Sequence, residues 1–354
     1  MRDWSELGGE YALIGRIVQA LKVPPISPGK PNSIGSPCWQ GEPYGGGLEK
    51  EGFHIEGIGD DAAILQLDHR ALLWTTDMLV EGVHFRADWI DARSLGWKSL
   101  TVNLSDIAAM GGTPLAALLS LALPPERTGA WLDDFIEGFV ECASRYDTLL
   151  IGGDTNRAEH VAVNVTVLGQ AEAPLRRRGA RPGDWILVTG ALGGSRAGLE
   201  WLIHASPTVV PIDLTPHFRP LPRLREGQLA AQLGASAMMD ISDGLASDLP
   251  KLLWASEVGA ILYPHQIPVH PEALRWAQAQ GADPALFAMA GGEDYELLIT
   301  APPEVARQLL QRVPEETGTP LTHIGQITAE NALWLEYPDG RREPLTVQGW
   351  NHFL

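Results

Sequence analysis

Apolar positions in this chain follow two rhythms. At helical spacing, Leu13, Ile14, Ile17, Val18 and Leu21 form one stripe, predicting a helix over Leu7 to Leu21 with Ser5 as N-cap and Pro24-Pro25 as its stop. Asp91 to Gly111 predicts a second helix, with Leu100, Leu104 and Ile107 on one face and Asn103, Asp106 and Met110 on a neighbouring one; Gly111-Gly112 and Pro114 end it. Trp131 to Tyr146 reads as an amphipathic helix, and Leu224 to Leu233 and Leu245 to Ala255 also read as helices. Strand rhythm appears at Leu72 to Thr76 and as strict alternation over Val161 to Leu168. Leu115 to Leu123 and Leu149 to Ile151 are continuous apolar runs, expected to be buried strands. Trp185 to Thr189 and Ala237 to Ile241 are further strand candidates, and a helix to about Ile203 follows the glycine-rich GALGGSRAG.

Two stretches break the pattern. Residues 23–50 are dense in Pro, Gly and Ser, which predicts a loop. A loop that long needs a reason, and a tolerated insertion is favoured over a lid. Around Glu172 the chain turns arginine- and proline-rich (AEAPLRRRGARPGD), which reads as a domain connection. The expectation is two α/β or α+β domains, 1–172 and 173–354.

Composition narrows the class. A 354-residue chain with 45% hydrophobic residues can build sizeable cores. No apolar run is long enough for a membrane helix, the first residues lack a signal-peptide pattern, and only Cys38 and Cys142 are present, so a cytoplasmic protein without a disulfide framework is expected. A formal net charge of −18 repels nucleic acid and anionic membrane. It also repels nucleotides, so phosphate chemistry here needs bound cations.

The acids are the chemical signal. Asp77, Asp154 and Asp240 each follow an apolar strand candidate, where ligand sites of α/β proteins tend to lie. Magnesium takes oxygen ligands, with one or two carboxylates per ion, so several ions on a triphosphate require several Asp side chains from separate segments. Each acid has a plainer reading: Asp60 or Asp61 as a turn residue after Gly59, Asp106 as a solvated helix residue, Asp243 as N-cap of the helix from Leu245. Massed carboxylates without metal are costly through mutual repulsion, which favours the site. The glycines of GALGGSRAG resemble a phosphate loop only loosely, and a plain turn before a helix is the commoner explanation. There is no Walker A or protein-kinase motif set.

GIGDDAA, TTDMLVEGVHF, KSLTVNLSDIAAMGGTP, LLIGGDTNR, SRAG, HFRPLPRLREG, MDISDGLASDL and GGEDYEL occur in an order that resembles the thiamine-monophosphate kinase family, within the aminoimidazole-ribotide synthetase-like ATP-dependent enzymes. The resemblance implies an N-terminal sheet domain that pairs two copies as a homodimer, and a C-terminal α/β domain closing over the nucleotide. It implies magnesium ligation by Asp61, Thr75, Thr76 and Asp77, and by Asp106, Asp154, Asp240 and Asp243, with Asp77, Asp106 and Asp154 the most sensitive to mutation. ATP contacts are implied for Tyr146, Gly153, Asp154, Arg177 and Ser242, and thiamine-phosphate contacts for His84, Glu293 and Trp350. An indole at Trp350 can attract a thiazolium cation by about 0.5–2 kcal/mol, or simply cap the C-terminal core. This chain departs from the family in its longer segment before Gly52 and in carrying Trp at 350.

The implied reaction is ATP-dependent phosphorylation of thiamine monophosphate to the diphosphate. Other superfamily activities fit less well. There is no reactive N-terminal cysteine for a selenophosphate-forming enzyme and no C-terminal cysteine for a hydrogenase-maturation enzyme; VEGVHF and GGEDYEL argue against ring closure. A non-catalytic acidic metal- or nucleotide-binding protein is the rival from another class, separated by acceptor-dependent ATP consumption.

Overall fold

The computed structural model describes residues 47–50, 53–56, 60–67, 70–204 and 211–345. The helix expected over Leu7 to Leu21, most of the 23–50 segment, and Trp350 lie outside them.

Two seven-stranded sheets form among the described residues. The first contains β1 (Gly47–Lys50), β2 (Phe53–Glu56), β3 (Ala63–Leu67), β4 (Arg70–Val80), β5 (Thr113–Leu123), β6 (Leu149–Arg157) and β7 (Ala162–Ala171). Their spatial order is β1-β2-β3-β4-β7-β5-β6. The second contains β8 (Trp185–Thr189), β9 (Ala237–Ile241), β10 (Gly259–Leu262), β11 (Glu296–Ala301), β12 (Leu321–Thr328), β13 (Leu333–Glu336) and β14 (Arg342–Pro344). Its order is β14-β13-β10-β12-β8-β11-β9. Antiparallel pairs dominate both, with parallel pairing at β5–β6 and β10–β13.

Helix α1 (Ala92–Ala109) lies between the sheets. Asp91 caps it by accepting from the Ser94 N–H at 2.8 Å. Nearly every residue is buried, Lys98 and Asn103 included, because the helix meets protein on all sides. It packs on β4 and β7, on β9 and β11, and on α2 (Ala130–Arg145). One continuous apolar core therefore runs from Leu73 and Val165 of the first sheet through Leu104 to Met238 and Leu297 of the second. A separate core, with Met239, Leu249 and Leu298, fills the far side of the second sheet under α6 (Leu245–Ser256). The remaining helices are α3 (Gly194–His204), α4 (Thr215–Phe218), α5 (Leu224–Leu233), α7 (Pro271–Gln280), α8 (Pro284–Met289) and α9 (Pro303–Thr317).

Strand burial departs from expectation at the sheet edge. β6 is exposed along its whole length, with Leu149 at 65% and Ile151 at 64%, and Leu118 on its neighbour β5 is also exposed. Its apolar run is an uncovered edge strand, not a buried one. Apolarity alone cannot distinguish a strand covered within the chain from one left bare.

The α1–α2 contact depends on glycine. A Cβ on Gly138 would lie 1.8 Å from the Arg93 carbonyl oxygen, and one on Gly96 would lie 2.0 Å from the Phe135 carbonyl oxygen. Gly138→Ala is expected to destabilise the chain by about 1–3 kcal/mol through overpacking, read as a lowered urea midpoint with an unchanged slope.

Candidate active site

The pleat of each sheet aims carboxylates at α1. Along β4, Leu73, Thr75 and Leu79 are buried while Trp74, Thr76 and Met78 are exposed, so Asp77 shares the Thr75 face. Along β9, Met238 joins the core around α1 while Ala237, Met239 and Ile241 join the opposite core, so Asp240 shares the Met238 side. On the helix, Asp106 accepts from the Thr75 hydroxyl, and Ser105 Oγ donates to Asp240 Oδ2 at 2.7 Å. Asn103 Oδ1 accepts the Asp77 N–H at 3.0 Å, fixing the strand beside the helix. Asp61 enters just before β3, held by Arg177 at 2.7 Å.

Carboxylate oxygens of Asp61, Asp106 and Asp240 come within 4.8 Å of one another. Burial, then the charges of Asp77, Asp240 and Asp61, raises the Asp106 pKa well above the usual carboxylate range. Burial and Asp61 do the same to Asp240. Asp60 is pushed up to about 6, mainly by burial, despite Arg177 beside it. An all-oxygen set of mutually repelling acids fits a hard divalent cation.

These acids line one end of a large cleft of about 960 Å³. At the other end, Glu293 Oε1 is 2.9 Å from Lys98 Nζ, and its Oε2 is 3.3 Å from His217 Nδ1. Burial would raise Glu293, but the Lys98 cation outweighs it and holds the carboxyl below its ordinary value. His217 is driven down to about 4 by burial and by Lys98, leaving a neutral ring. His84 also lines the cleft; its Nδ1 accepts the Val80 N–H at 3.0 Å, placing the proton of the neutral ring on Nε2.

The glycine loop before α3 is already occupied. Its Gly193 and Ser195 N–H groups donate to Asp294 at 2.7 and 3.3 Å. The phosphate-loop likeness of GALGGSRAG therefore finds an internal carboxylate in the anion's place. Asp243 does not cap α6, whose N-cap is Gly244; it pairs with Lys251 at 2.6 Å.

Of the residues singled out in the sequence, the structure brings Asp61, Thr75, Asp77, Asp106, Asp240 and Asp243 to the cleft. Arg177, Ser242, His84 and Glu293 join them there. Thr76 borders it too, although its hydroxyl is engaged by Val165 and Thr166 of β7. Gly153 and Asp154 are not brought in: they lie on exposed β6, where Asp154 accepts from Asn156 Nδ2 at 2.7 Å. The register Met78–Asn164–Ser120–Asp154 puts Asp154 on the outward face, opposite Asp77. β6 stands three strands from β4, roughly 14 Å at ordinary strand spacing. Tyr146 ends α2 and packs edge-on to Trp97 at 6.1 Å, outside the cleft lining. Sequence reasoning missed Lys98, His217 and Asp294. Lys98 was recoverable, since 98, 102 and 106 fall on one helical face; nothing in the spacing marks His217.

Residues 59–171 match the family model "AIR synthase related protein, N-terminal domain", and residues 181–337 match its C-terminal counterpart. Fold and acid-lined cleft thus define an AIR synthase related protein. More narrowly, the chain belongs to the thiamine-monophosphate kinase family. It is 40% identical over 312 residues to the thiamine-monophosphate kinase of Escherichia coli K12, covering 84% of this chain and 91% of that protein. The Aquifex aeolicus enzyme of the same name is 35% identical, with 86% and 96% covered. A solved structure described as AaThiL complexed with AMPPCP and TMP superposes with a TM-score of 0.79 at 32% identity, covering 100% of this chain and 99% of that one. A HypE–HypF complex, at 17% identity and a TM-score of 0.70, shares the fold alone.

Asp60, Asp106 and Asp240 hold protons more tightly in the folded chain than in the unfolded one. The stability tied to that difference is fully present below the usual carboxylate range. It is lost as pH rises through about 6 for Asp60, and through the raised range of Asp106 and Asp240. The melting temperature of metal-free protein is therefore expected to fall as pH rises from about 4 through about 6. Magnesium should remove much of that fall, and Asp106→Asn should melt higher than the parent at the upper pH while losing the magnesium response. Calorimetry with and without chelator checks all three.

Proposed function

We propose that this chain transfers the γ-phosphoryl group of ATP to thiamine monophosphate, forming thiamine diphosphate and ADP. The observation that carries this reading is the two-ended cleft: converging oxygens of Asp61, Asp106 and Asp240 at one end, the ion-paired Glu293 at the other. Kinship supports the substrates, since the similar AaThiL structure is described with AMPPCP and TMP.

The nucleophile is an acceptor phosphate oxygen. A phosphate monoester's second pKa is about 6, so the acceptor is mostly dianionic at neutral pH and needs no strong base. The difficulty is bringing two polyanions together, which is a matter of positioning and charge. Magnesium bound by Asp61, Asp106 and Asp240 would supply Lewis-acid charge to the phosphoryl group. Asp77 and Asp243 at the same cleft give more carboxylates than one octahedral ion ordinarily takes, which supports more than one ion. Arg177 fixes Asp61 and lines the nucleotide end; Asn103 holds β4 so that Asp77 faces the cleft. His84 offers its Nε2 proton to the acceptor phosphate, and Glu293 accepts from the aminopyrimidine. Trp350 is assigned to the acceptor ring.

We further infer a cytoplasmic homodimer joined through the first sheet. Leu149, Leu150, Ile151, Trp74 and Met78 are all exposed on it, an apolar surface of the kind that a second copy covers. Gly153 and Asp154 sit on that edge strand, so their nucleotide and metal roles belong to a cleft completed by the partner copy. The 1–172 half would carry most metal ligands and the 173–354 half would close over them. No helix among the described residues is long and apolar enough to cross a membrane.

Purified protein with ATP and magnesium is expected to form thiamine diphosphate from thiamine monophosphate and none from unphosphorylated thiamine. Asp77→Ala should lower kcat by about a hundredfold or more, the scale of losing transition-state charge stabilisation. Absence of product from folded, ATP-binding protein would return the chain to the other ATP-dependent members of its class. Sedimentation equilibrium is expected to give twice the chain mass, and Ile151→Lys to give one.

A further inference from the structure

Lys98 is the least expected residue of the cleft. Its side chain is only 1% exposed, yet it lines the cavity and ends 2.9 Å from Glu293 Oε1. It occupies the same face of α1 as Val102 and Asp106, both of which also line the cleft. Eight helical steps of rise separate Lys98 from Asp106, roughly 12 Å. One rigid helix therefore presents an acid to the metal end and a cation to the acceptor end.

The Glu293 carboxylate has a nitrogen neighbour at each oxygen. Lys98 takes Oε1, and His217 Nδ1 stands 3.3 Å from Oε2. Ser195 Oγ lies 2.8 Å from the same ring nitrogen, so the imidazole is itself braced. Ser195 in turn donates its N–H to Asp294, the next residue after Glu293. The Glu293 N–H donates to the Ser242 carbonyl at 2.7 Å, which ties this loop to the DISDG turn. Each carboxylate oxygen accepts more than one hydrogen bond, so both contacts leave capacity for a ligand.

We propose that Lys98 and His217 are positioning residues that fix the direction of the Glu293 carboxylate, and so set recognition of the amino-bearing ring of the acceptor. The inference rests on the kinase reading above. Lys98 and His217 act through Glu293 and not on the reacting phosphates. Removing either leaves the carboxylate free to turn, and removing the Lys98 cation also eases its protonation; a protonated or swung Glu293 no longer favours an amino donor. The discrimination that is lost concerns the ring, at the end of the cleft away from the acid cluster.

The test is steady-state kinetics on full-length Lys98→Met, His217→Asn, Glu293→Gln and the Lys98→Met/Glu293→Gln pair. Two acceptors are used: thiamine monophosphate, and its analogue with oxygen in place of the pyrimidine amino group. KM for thiamine monophosphate is expected to rise about tenfold or more in Lys98→Met, the scale of a lost charge-assisted hydrogen bond, with KM for ATP within about twofold of the parent. Preference for the amino acceptor over its oxygen analogue should collapse in Lys98→Met and in His217→Asn. The double variant should be no worse than Glu293→Gln alone, because the pair acts as one unit. A purely structural role would shift both substrates together and leave the acceptor preference intact. That result in folded His217→Asn or Lys98→Met overturns the inference, as does additivity in the double variant. His217→Asn decides if Lys98→Met does not fold. A parent chain that makes no thiamine diphosphate overturns both readings, whereas an active parent with unaltered variants overturns this one alone.

Discussion

Repulsion among Asp61, Asp106 and Asp240 is the constraint around which this molecule is built. Three carboxylates whose oxygens lie within 4.8 Å of one another oppose folding until a cation joins them. The chain meets this opposition with rigidity. Asp106 and Asp240 each take one hydroxyl hydrogen bond, from Thr75 and Ser105, and Asp61 takes Arg177. Those bonds direct the acids without neutralising the cluster, since both Asp106 and Asp240 remain strongly proton-retaining. The apolar core spanning both sheets supplies the stability that offsets them. Function and stability pull in opposite directions at Asp106, as expected for preorganised electrostatic sites.

Helix α1 is the element through which that cost is distributed. It touches both sheets, and its exposed surface is almost nil. Period-two alternation in β4 and β9 turns Asp77 and Asp240 toward it, while its own 3.6-residue period sets Lys98 and Asp106 on one line. Two periodicities meeting on one helix suffice to bring together acids separated by well over a hundred residues. Close glycine contacts at Gly96 and Gly138 hold α1 against α2, so the helix cannot shift without a backbone clash.

Much of this was legible in the sequence. The strand-to-acid junctions at Asp77 and Asp240 are local patterns, and the motif order is specific to one family. What escaped is non-local. Leu149 to Ile151 has the composition of a buried strand, yet its residues lie exposed on a sheet edge; composition alone does not tell the two apart. GALGGSRAG resembles a phosphate loop only loosely, with a plain turn the commoner reading, and only the fold reveals that its N–H groups hold Asp294. Lys98 was legible only in part: its helical phase matches Asp106, but its partner is not local. A lysine inside a helix reads as solvated, and nothing local signals that Glu293, far along the chain, buries it.

The loop that carries Glu293 shows how tightly the two ends of the cleft are joined. Glu293 and Tyr295 both sit at positive φ, 63° and 51°, without being glycine. Left-handed backbone costs a non-glycine residue about 1–2 kcal/mol, and such outliers persist only where surroundings over-determine them. Here the Glu293 and Tyr295 N–H groups donate to Ser242 and Ile241, the residues that follow Asp240 on the metal side. Asp294 between them is drawn into the glycine loop of α3, where burial pushes its carboxyl up to about 8 even with two backbone donors. Strain, a buried acid and the Lys98 ion pair all converge on three consecutive residues. A loop serving only as a connection has no use for that expense. A loop that must hold one carboxylate at a set distance from the Asp61, Asp106 and Asp240 cluster does.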